Sequence, residues 1–272
     1  MLRKGDLTQG GIITTLLQFT LPMLAGSLLQ QCYNIADTLI VGQCIGANAL
    51  AAVGSAYTLM VFLISILLGL SMGSGTVFSL QYGAGDLSAL RRSIYVSLLL
   101  IGTVTILLNV AVFLWLDPIL RWLQVPYDIY SLMRNYLWII FWGIVFTFLY
   151  NFYAALLRAV GDSVTPLWFL AVSVVLNIGL DLFLILVLDQ GIEGAAVATV
   201  IAQGTAASGI LLYTYKIRPE LRLHREDMCF DRSSLREITS FSTLTCVQQS
   251  VMNFGILMVQ GLVNSFGTVV MA

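Results

Sequence analysis

Charge is what this sequence has least of. Only 10% of its 272 residues are charged, while 58% are hydrophobic; a soluble domain usually carries about 25% charged residues. A water-soluble fold of this length could not hide that much apolar surface, so the apolar runs must face lipid or each other. The net charge of −1 offers no clustered basic face for a nucleic-acid partner, and none is expected. The single histidine, His224, lies in a charged loop with nothing beside it to complete a metal site. Four cysteines, Cys32, Cys44, Cys229 and Cys246, show no disulfide or metal spacing. Prolines number five, and of these Pro22 reads as the only one well inside an apolar run. The first apolar stretch is too long for a cleaved signal and ends in no small-residue cleavage site. Met1 to Gly10, with Arg3, Lys4 and Asp6, therefore reads as a short cytoplasmic lead.

What is present is a series of spans. A helix needs about 20 apolar residues to cross the hydrocarbon core. Six stretches qualify: Ile12–Val41, Leu50–Leu80, Ile94–Leu116, Tyr130–Leu157, Val164–Leu188 and Ala195–Tyr215. A seventh starts near Ile238 and is still apolar at Val269, Val270, Met271 and Ala272, as in a fragment of a longer protein. The expected fold is an all-α integral membrane bundle. Residues 1–215 form a six-helix lobe, 216–237 a cytoplasmic connector, and 238–272 the start of a second lobe. Lys and Arg gather in cytoplasmic loops. Arg3, Lys4, Arg91, Arg92, Arg158, Lys216, Arg218, Arg222, Arg225, Arg232 and Arg236 fall on one side, 11 of the 13 basic residues; Arg121 and Arg134 fall on the other. The expectation is a multi-pass protein of the cytoplasmic (cell inner) membrane with its amino terminus inside. The connector reads as a solvated link, with lipid headgroups a second use for its basic residues.

Polar order recurs in the first and seventh spans. Phe19-Thr20, Gln30-Gln31, Asn34 and Gly46 are echoed by Phe241-Ser242, Gln248-Gln249, Asn253 and Gly267. Copies in the same orientation are a mark of parallel repeats, which clasp a substrate path between halves.

Of the 14 acidic residues, only Asp37 and Asp181 lie within apolar spans. A carboxylate at that depth costs at least about 2.5 kcal/mol, so it needs a partner, a water-filled cavity or a bound proton. In Asn-Ile-Gly-Leu-Asp, Asn177 and Asp181 are four apart and share a helix face. Gln30, Tyr33, Asn34 and Asp37 form a second polar face, and Thr199 and Gln203 a third. Beside the third runs a small-residue stripe, Gly194, Ala198, Ala202 and Ala206, suited to close helix approach. Three polar faces turned inward would supply carboxylate, amide and hydroxyl oxygens for Na+, and would equally hold a proton. Structural polar packing is the plainer alternative. Pro22 removes one helix hydrogen bond and should bend the first span, as a hinge or as a static kink. Gly69, Gly73 and Gly75 suit close packing in the second span.

Taken in order, five motifs resemble the multidrug and toxic compound extrusion (MATE) family, its DinF-like branch in particular. They are Phe-Thr-Leu-Pro at 19–22, Asn-Ile-Ala-Asp at 34–37 with Val41-Gly42, and Leu-Arg-Ala-Val-Gly-Asp-Ser-Val-Thr-Pro at 157–166. Asn-Ile-Gly-Leu-Asp at 177–181 and Glu-Gly-Ala-Ala-Val-Ala-Thr at 193–199 complete the set. The resemblance implies two six-helix lobes around a central cavity and an antiporter that expels organic, often cationic compounds in exchange for Na+ or H+. It implies no cofactor beyond that ion, and it implies a monomer in a lipid bilayer. Residue by residue, it assigns the cation or proton site to Asp37, Asn177, Asp181 and Thr199, which would also be the metal ligands if the ion is Na+. It places Gln30, Tyr33, Asn34 and Gln203 on the substrate cavity and makes Pro22 the hinge. The chain lacks the remaining second-lobe helices of that fold. A lipid or polysaccharide-precursor flippase of the same superfamily is the alternative, and would suit a cavity rich in basic residues, which these spans lack. An intramembrane aspartyl protease fits worse, because the aspartates follow Ala36 and Leu180 rather than the Tyr-Asp and Gly-x-Gly-Asp patterns such enzymes resemble. No enzyme is expected.

Overall fold

Apolar segments without water to bond their backbones must close their hydrogen bonds within themselves, and helices do so locally. The computed structural model describes residues 12–266, and all its long elements are helices. They are α1 (Ile12–Cys44), α2 (Ala47–Gly83), α3 (Leu87–Trp122), α4 (Tyr127–Trp142), α5 (Ile144–Ala159), α6 (Val164–Leu182), α7 (Gly191–Ile217) and α8 (Arg232–Ser265). Among the described residues six helices are long and apolar enough to cross a membrane, and the bent pair α4–α5 makes a seventh span. Arg3, Lys4, Gly267 and the last apolar residues lie outside the described residues.

The helices overshoot the apolar runs. α3 begins at Leu87 and ends at Trp122, and α8 begins at Arg232 rather than Ile238. Hydropathy marks only the hydrocarbon core, whereas helices continue into the interface until a cap stops them. Asp86 Oδ1 accepts the Ala89 amide at 2.9 Å to start α3. Asp231 accepts the Ser233 and Ser234 amides at 3.1 and 3.2 Å to start α8. The connector is therefore shorter than 216–237. It runs from Arg218 to Asp231 and carries short 3-10 turns at Pro219–Leu221 and Arg225–Asp227. The longer α3 also corrects the reading of proline: Pro118 lies inside it, as Pro22 lies inside α1.

One span carries a sharp break. α1 runs as one helix through Pro22, while the fourth span breaks by 49° between α4 and α5. No proline causes this. A Cβ on Gly143 would sit 2.8 Å from Val200 Cγ2 of α7, so the close approach of α7 demands glycine there. The break frees the Phe141 carbonyl, and Asn109 of α3 donates to it from Nδ2 at 2.6 Å.

α2 is the central post, packed against α3, α4, α5 and α8. Phe78 meets Phe152 edge-on at 5.9 Å in the core. The stripe on α7 is buried throughout, from Gly194 to Ala206, against α4, α5 and α6. Gly69 and Gly73 seat α8, whereas Gly75 lies against Ala155 of α5. The outward faces carry Leu16, Leu28, Trp168, Val175 and Leu186, all exposed.

The basic loops share one end of the bundle. Arg91 of the second turn pairs with Asp227 of the connector at 2.9 Å, and Arg218 pairs with Asp162 of the α5–α6 turn at 3.3 Å. Asp162 also accepts the Thr165 amide at 3.0 Å and the Thr165 hydroxyl at 2.8 Å, just after Gly161 turns the chain at φ +86°. That explains the Gly-Asp-Ser-Val-Thr motif as a helix-starting turn.

Candidate functional site

Three helices meet around two carboxylates. α1 packs on α6, and α6 on α7, so the polar face of each turns toward the others. Asp37, one helical turn beyond Tyr33, comes from α1; Asn177 and Asp181 come from α6; Thr199 comes from α7. All four of Asp37, Asn177, Asp181 and Thr199 are buried, at 8%, 0%, 0% and 4% exposure. The Asp37 and Asp181 carboxyls lie close enough to each other to interact electrostatically. Thr199 Oγ1 receives the Asn177 amide nitrogen at 3.3 Å and shares a second hydrogen bond of 3.3 Å with the Tyr33 hydroxyl.

The decisive feature is what these groups lack. Asp37 Oδ1, Asn177 Oδ1 and both Asp181 oxygens are buried with no hydrogen-bond partner. Buried acceptors are ordinarily paired, and a carboxylate left unpaired is costly. Four oxygens with no protein donor among them, two of the side chains acidic, call for a donor or a positive charge in their midst. The donor set is carboxylate and amide oxygen with hydroxyls at its edge and no imidazole or thiolate, which fits a hard cation rather than a soft one. A proton shared between the two carboxyls would meet the same need.

The residues expected on a substrate cavity divide. Tyr33 joins the acidic cluster through Thr199. Asn34 turns toward α2 and donates from Nδ2 to the Tyr57 hydroxyl at 3.1 Å. Gln203 turns toward α5, where its Oε1 accepts the Thr147 hydroxyl at 2.6 Å. Gln30 is exposed. Thr199 and Gln203 thus share a helix face but serve different neighbours.

Two features escape sequence reasoning. Tyr136 of α4, buried at 4% exposure, lies near Asp37, Asp181 and Tyr33. The fourth span has no polar face to flag it, and only the packing of α4 brings it in. The second is a π-helical turn, Phe183–Val187, that follows Asp181 directly. Such turns widen the helix and concentrate at functional sites.

The fold has counterparts in known proteins. The MatE family profile matches residues 22–183. The chain is 34% identical over 262 residues to the probable multidrug resistance protein YpnP of Bacillus subtilis, covering 96% of this chain and 58% of that protein. It is 31% identical over 213 residues to the multidrug export protein MepA of Staphylococcus aureus, covering 75% of this chain and 46% of that protein. Among solved structures, a MOP-superfamily transporter from Pyrococcus furiosus superposes with a TM-score of 0.87 at 22% identity. That match covers 94% of this chain and 57% of that one. An inward-facing MATE transporter matches with a TM-score of 0.80 at 23% identity, over 89% and 55% of the two chains. These structures share the fold. The chain spans about half the length of the relatives it matches. A profile covering Pro22 through the Asp181 helix, on a bundle of this architecture, places this multi-pass membrane chain in the MatE family of multidrug and toxic compound extrusion transporters.

Proposed function

We propose that this chain supplies the first lobe and first second-lobe helix of an antiporter that exports organic, often cationic compounds in exchange for Na+ or H+. The observation that carries this reading is the set of four unpartnered acceptor oxygens around Asp37 and Asp181. The names of its relatives, a probable multidrug resistance protein and a multidrug export protein, support the substrate class.

Coupling follows from charge. With no cation between them, two buried carboxylates in mutual reach repel; a bound Na+ or proton removes the repulsion and draws α1 onto α6. Asp37, Asn177, Asp181 and Thr199 would hold Na+, and the ion would supply the positive charge that lets the two helices close. A ligand shifts a two-state protein only by binding one state better than the other. A cluster whose members sit on three helices has that differential built in, because any movement of α1 against α6 and α7 changes the coordination. The bias of 11 basic residues toward one end supports a cytoplasmic amino terminus in the cell membrane.

The test is ethidium efflux from vesicles carrying the intact protein, with a Na+ or a proton gradient imposed separately. Efflux under one gradient, abolished in Asp37→Asn with insertion intact, is the expected result and names the ion. No efflux under either gradient from a correctly inserted protein would remove the drug-export reading and favour lipid or polysaccharide-precursor flipping.

A further inference from the structure

The contact between α2 and α8 is built in two unlike ways along its length. Near the basic end the backbones touch. A Cβ on Gly69 would lie 2.4 Å from Cys246 Cα, and one on Gly73 would lie 2.3 Å from Ser242 Cα. The Ser242 hydroxyl adds a hydrogen bond to the Leu70 carbonyl at 3.2 Å. Only the small Ser242 and Cys246 side chains lie at this level, so α8 has no room to slide inward and can turn only about this contact.

At the other end, a closed polar network does the holding. Ser55 Oγ donates to Asn264 Oδ1 at 3.1 Å, and Gln260 Nε2 donates to Ser55 Oγ at 3.1 Å and to Asn264 Oδ1 at 2.9 Å. Thr58 Oγ1 donates to Gln260 Oε1 at 3.3 Å. Asn264 Nδ2 then reaches the Leu123 carbonyl at the carboxyl end of α3, at 2.9 Å. Ser55, Thr58 and Asn264 are all buried. Beside the network the packing is poor. A cleft of about 300 Å³ separates the end of α3 from α8, lined by Trp122, Leu123, Leu257, Gly261 and Leu262 among others. Buried Leu257 and the Phe62–Phe254 pair at 5.8 Å add apolar contact one to two turns away, but at the level of Ser55 the hydrogen bonds fix this end of α8. Hydrogen bonds between hydroxyls and amides can be exchanged for water at small net cost, about 1 kcal/mol each, whereas a close-packed seam cannot open by degrees.

From these two ends we infer that Ser55, Thr58, Gln260 and Asn264 form a latch closing the α2–α8 seam at the end away from the basic loops, and that the Gly69–Gly73 contact is its pivot. Opening a path to that side of the membrane requires the latch to part and its groups to be hydrated. The inference rests on the exporter reading, since α8 begins the second lobe in that reading and the lobes must separate on one side at a time.

The experiment uses the intact protein with Cys32, Cys44, Cys229 and Cys246 replaced by serine. In one arm, Ser55→Cys and Asn264→Cys are joined by a short reversible thiol cross-linker. Cross-linking should stop ethidium efflux and reduction should restore it, which also shows that the variant is folded. Cross-linked protein that exports at the uncross-linked rate overturns the latch. In the second arm, Ser55→Cys alone is exposed to a membrane-impermeant thiol reagent from the latch side. Labelling should rise about fivefold or more when the coupling gradient is imposed, the factor that loss of one such hydrogen bond of about 1 kcal/mol supplies. Labelling that ignores both gradients overturns the proposal whether or not the protein exports. Failure of efflux in the unlinked parent, with labelling still responsive to a gradient, instead strikes the exporter reading and leaves the latch standing.

Discussion

Replacing Asp181 by asparagine should make the protein more stable while weakening its grip on the coupling ion. Asp181 is fully buried, neither of its oxygens has a donor, and its carboxyl faces that of Asp37, whose Oδ1 is also unpartnered. Two unit charges about 4 Å apart repel by about 4 kcal/mol at an effective dielectric of ~20, which sets the scale of the relief. The asparagine amide also offers N–H donors toward Asp37. A hydrogen bond to a charged group contributes about 1.5–3 kcal/mol, so the ion-free protein should gain a few kcal/mol. The ion loses one of its two carboxylates, a contact of similar size, and its affinity should fall about 10- to 150-fold. The assay is thermal unfolding of the intact protein in detergent across Na+ concentrations, with ionic strength held by choline. Ligand stabilises the wild type through RT ln(1 + [L]/Kd), so its midpoint should climb with Na+ while that of Asp181→Asn starts higher and stays flat. If the wild type ignores Na+, the same comparison is made against acid, with protons in the cation's place. A variant less stable than wild type without ion, or one that keeps the full ion response, would refute the reasoning.

Other consequences follow from the packing. Gly73→Ala places a Cβ 2.3 Å from the Ser242 backbone and should cost about 1–3 kcal/mol by overpacking. Gly54→Ala on the same helix meets nothing within 4 Å, and should be neutral or stabilise by about 0.5–1 kcal/mol through helix propensity. Thermal midpoints in detergent check the pair, and equal losses would contradict the α2–α8 seam. At the start of α8, hydrogen bonds from Ser234 and Ser233 hold the Asp231 carboxyl down at about 2. A depressed carboxylate stabilises the fold above its ordinary value near 4, and that contribution is lost as pH falls through about 2. Amide exchange in the first turn of α8 should therefore quicken on acidification from pH 4 to 2, and Asp231→Ala, about 1 kcal/mol weaker at the cap, should remove the dependence.

The chemistry of the site was legible in sequence where it broke the apolar background. A carboxylate in an apolar run is expensive, so Asp37 and Asp181 stood out, and helical spacing grouped Asn177 and Tyr33 with them. Spacing grouped Thr199 with Gln203 instead, and the family resemblance assigned it to the acidic site. Tyr136 did not, because a tyrosine is at home in an apolar helix and its role depends on where α4 lies. The spans were legible in number, but their ends were not. Asp86 and Asp231 extend α3 and α8 by capping, a local geometry that hydropathy does not register. The break in the fourth span was missed for a similar reason. Proline advertises a break in any context, whereas Gly143 breaks the fourth span only because Val200 of α7 comes close enough to exclude a side chain. Asn264 and Gln260 drew no attention in sequence, because their partners Ser55 and Thr58 come from α2.

The central claim, that the Asp37–Asp181 cluster couples ion movement to export, is tested most directly by running the transporter backwards on demand. The intact protein in liposomes is given a gradient of ethidium alone, and the movement of Na+ or protons that this evokes is measured. The account predicts that wild-type protein moves one of these ions against the ethidium flux, and that Asp37→Asn and Asp181→Asn do not. Ion movement of undiminished ratio to ethidium in both variants would contradict it.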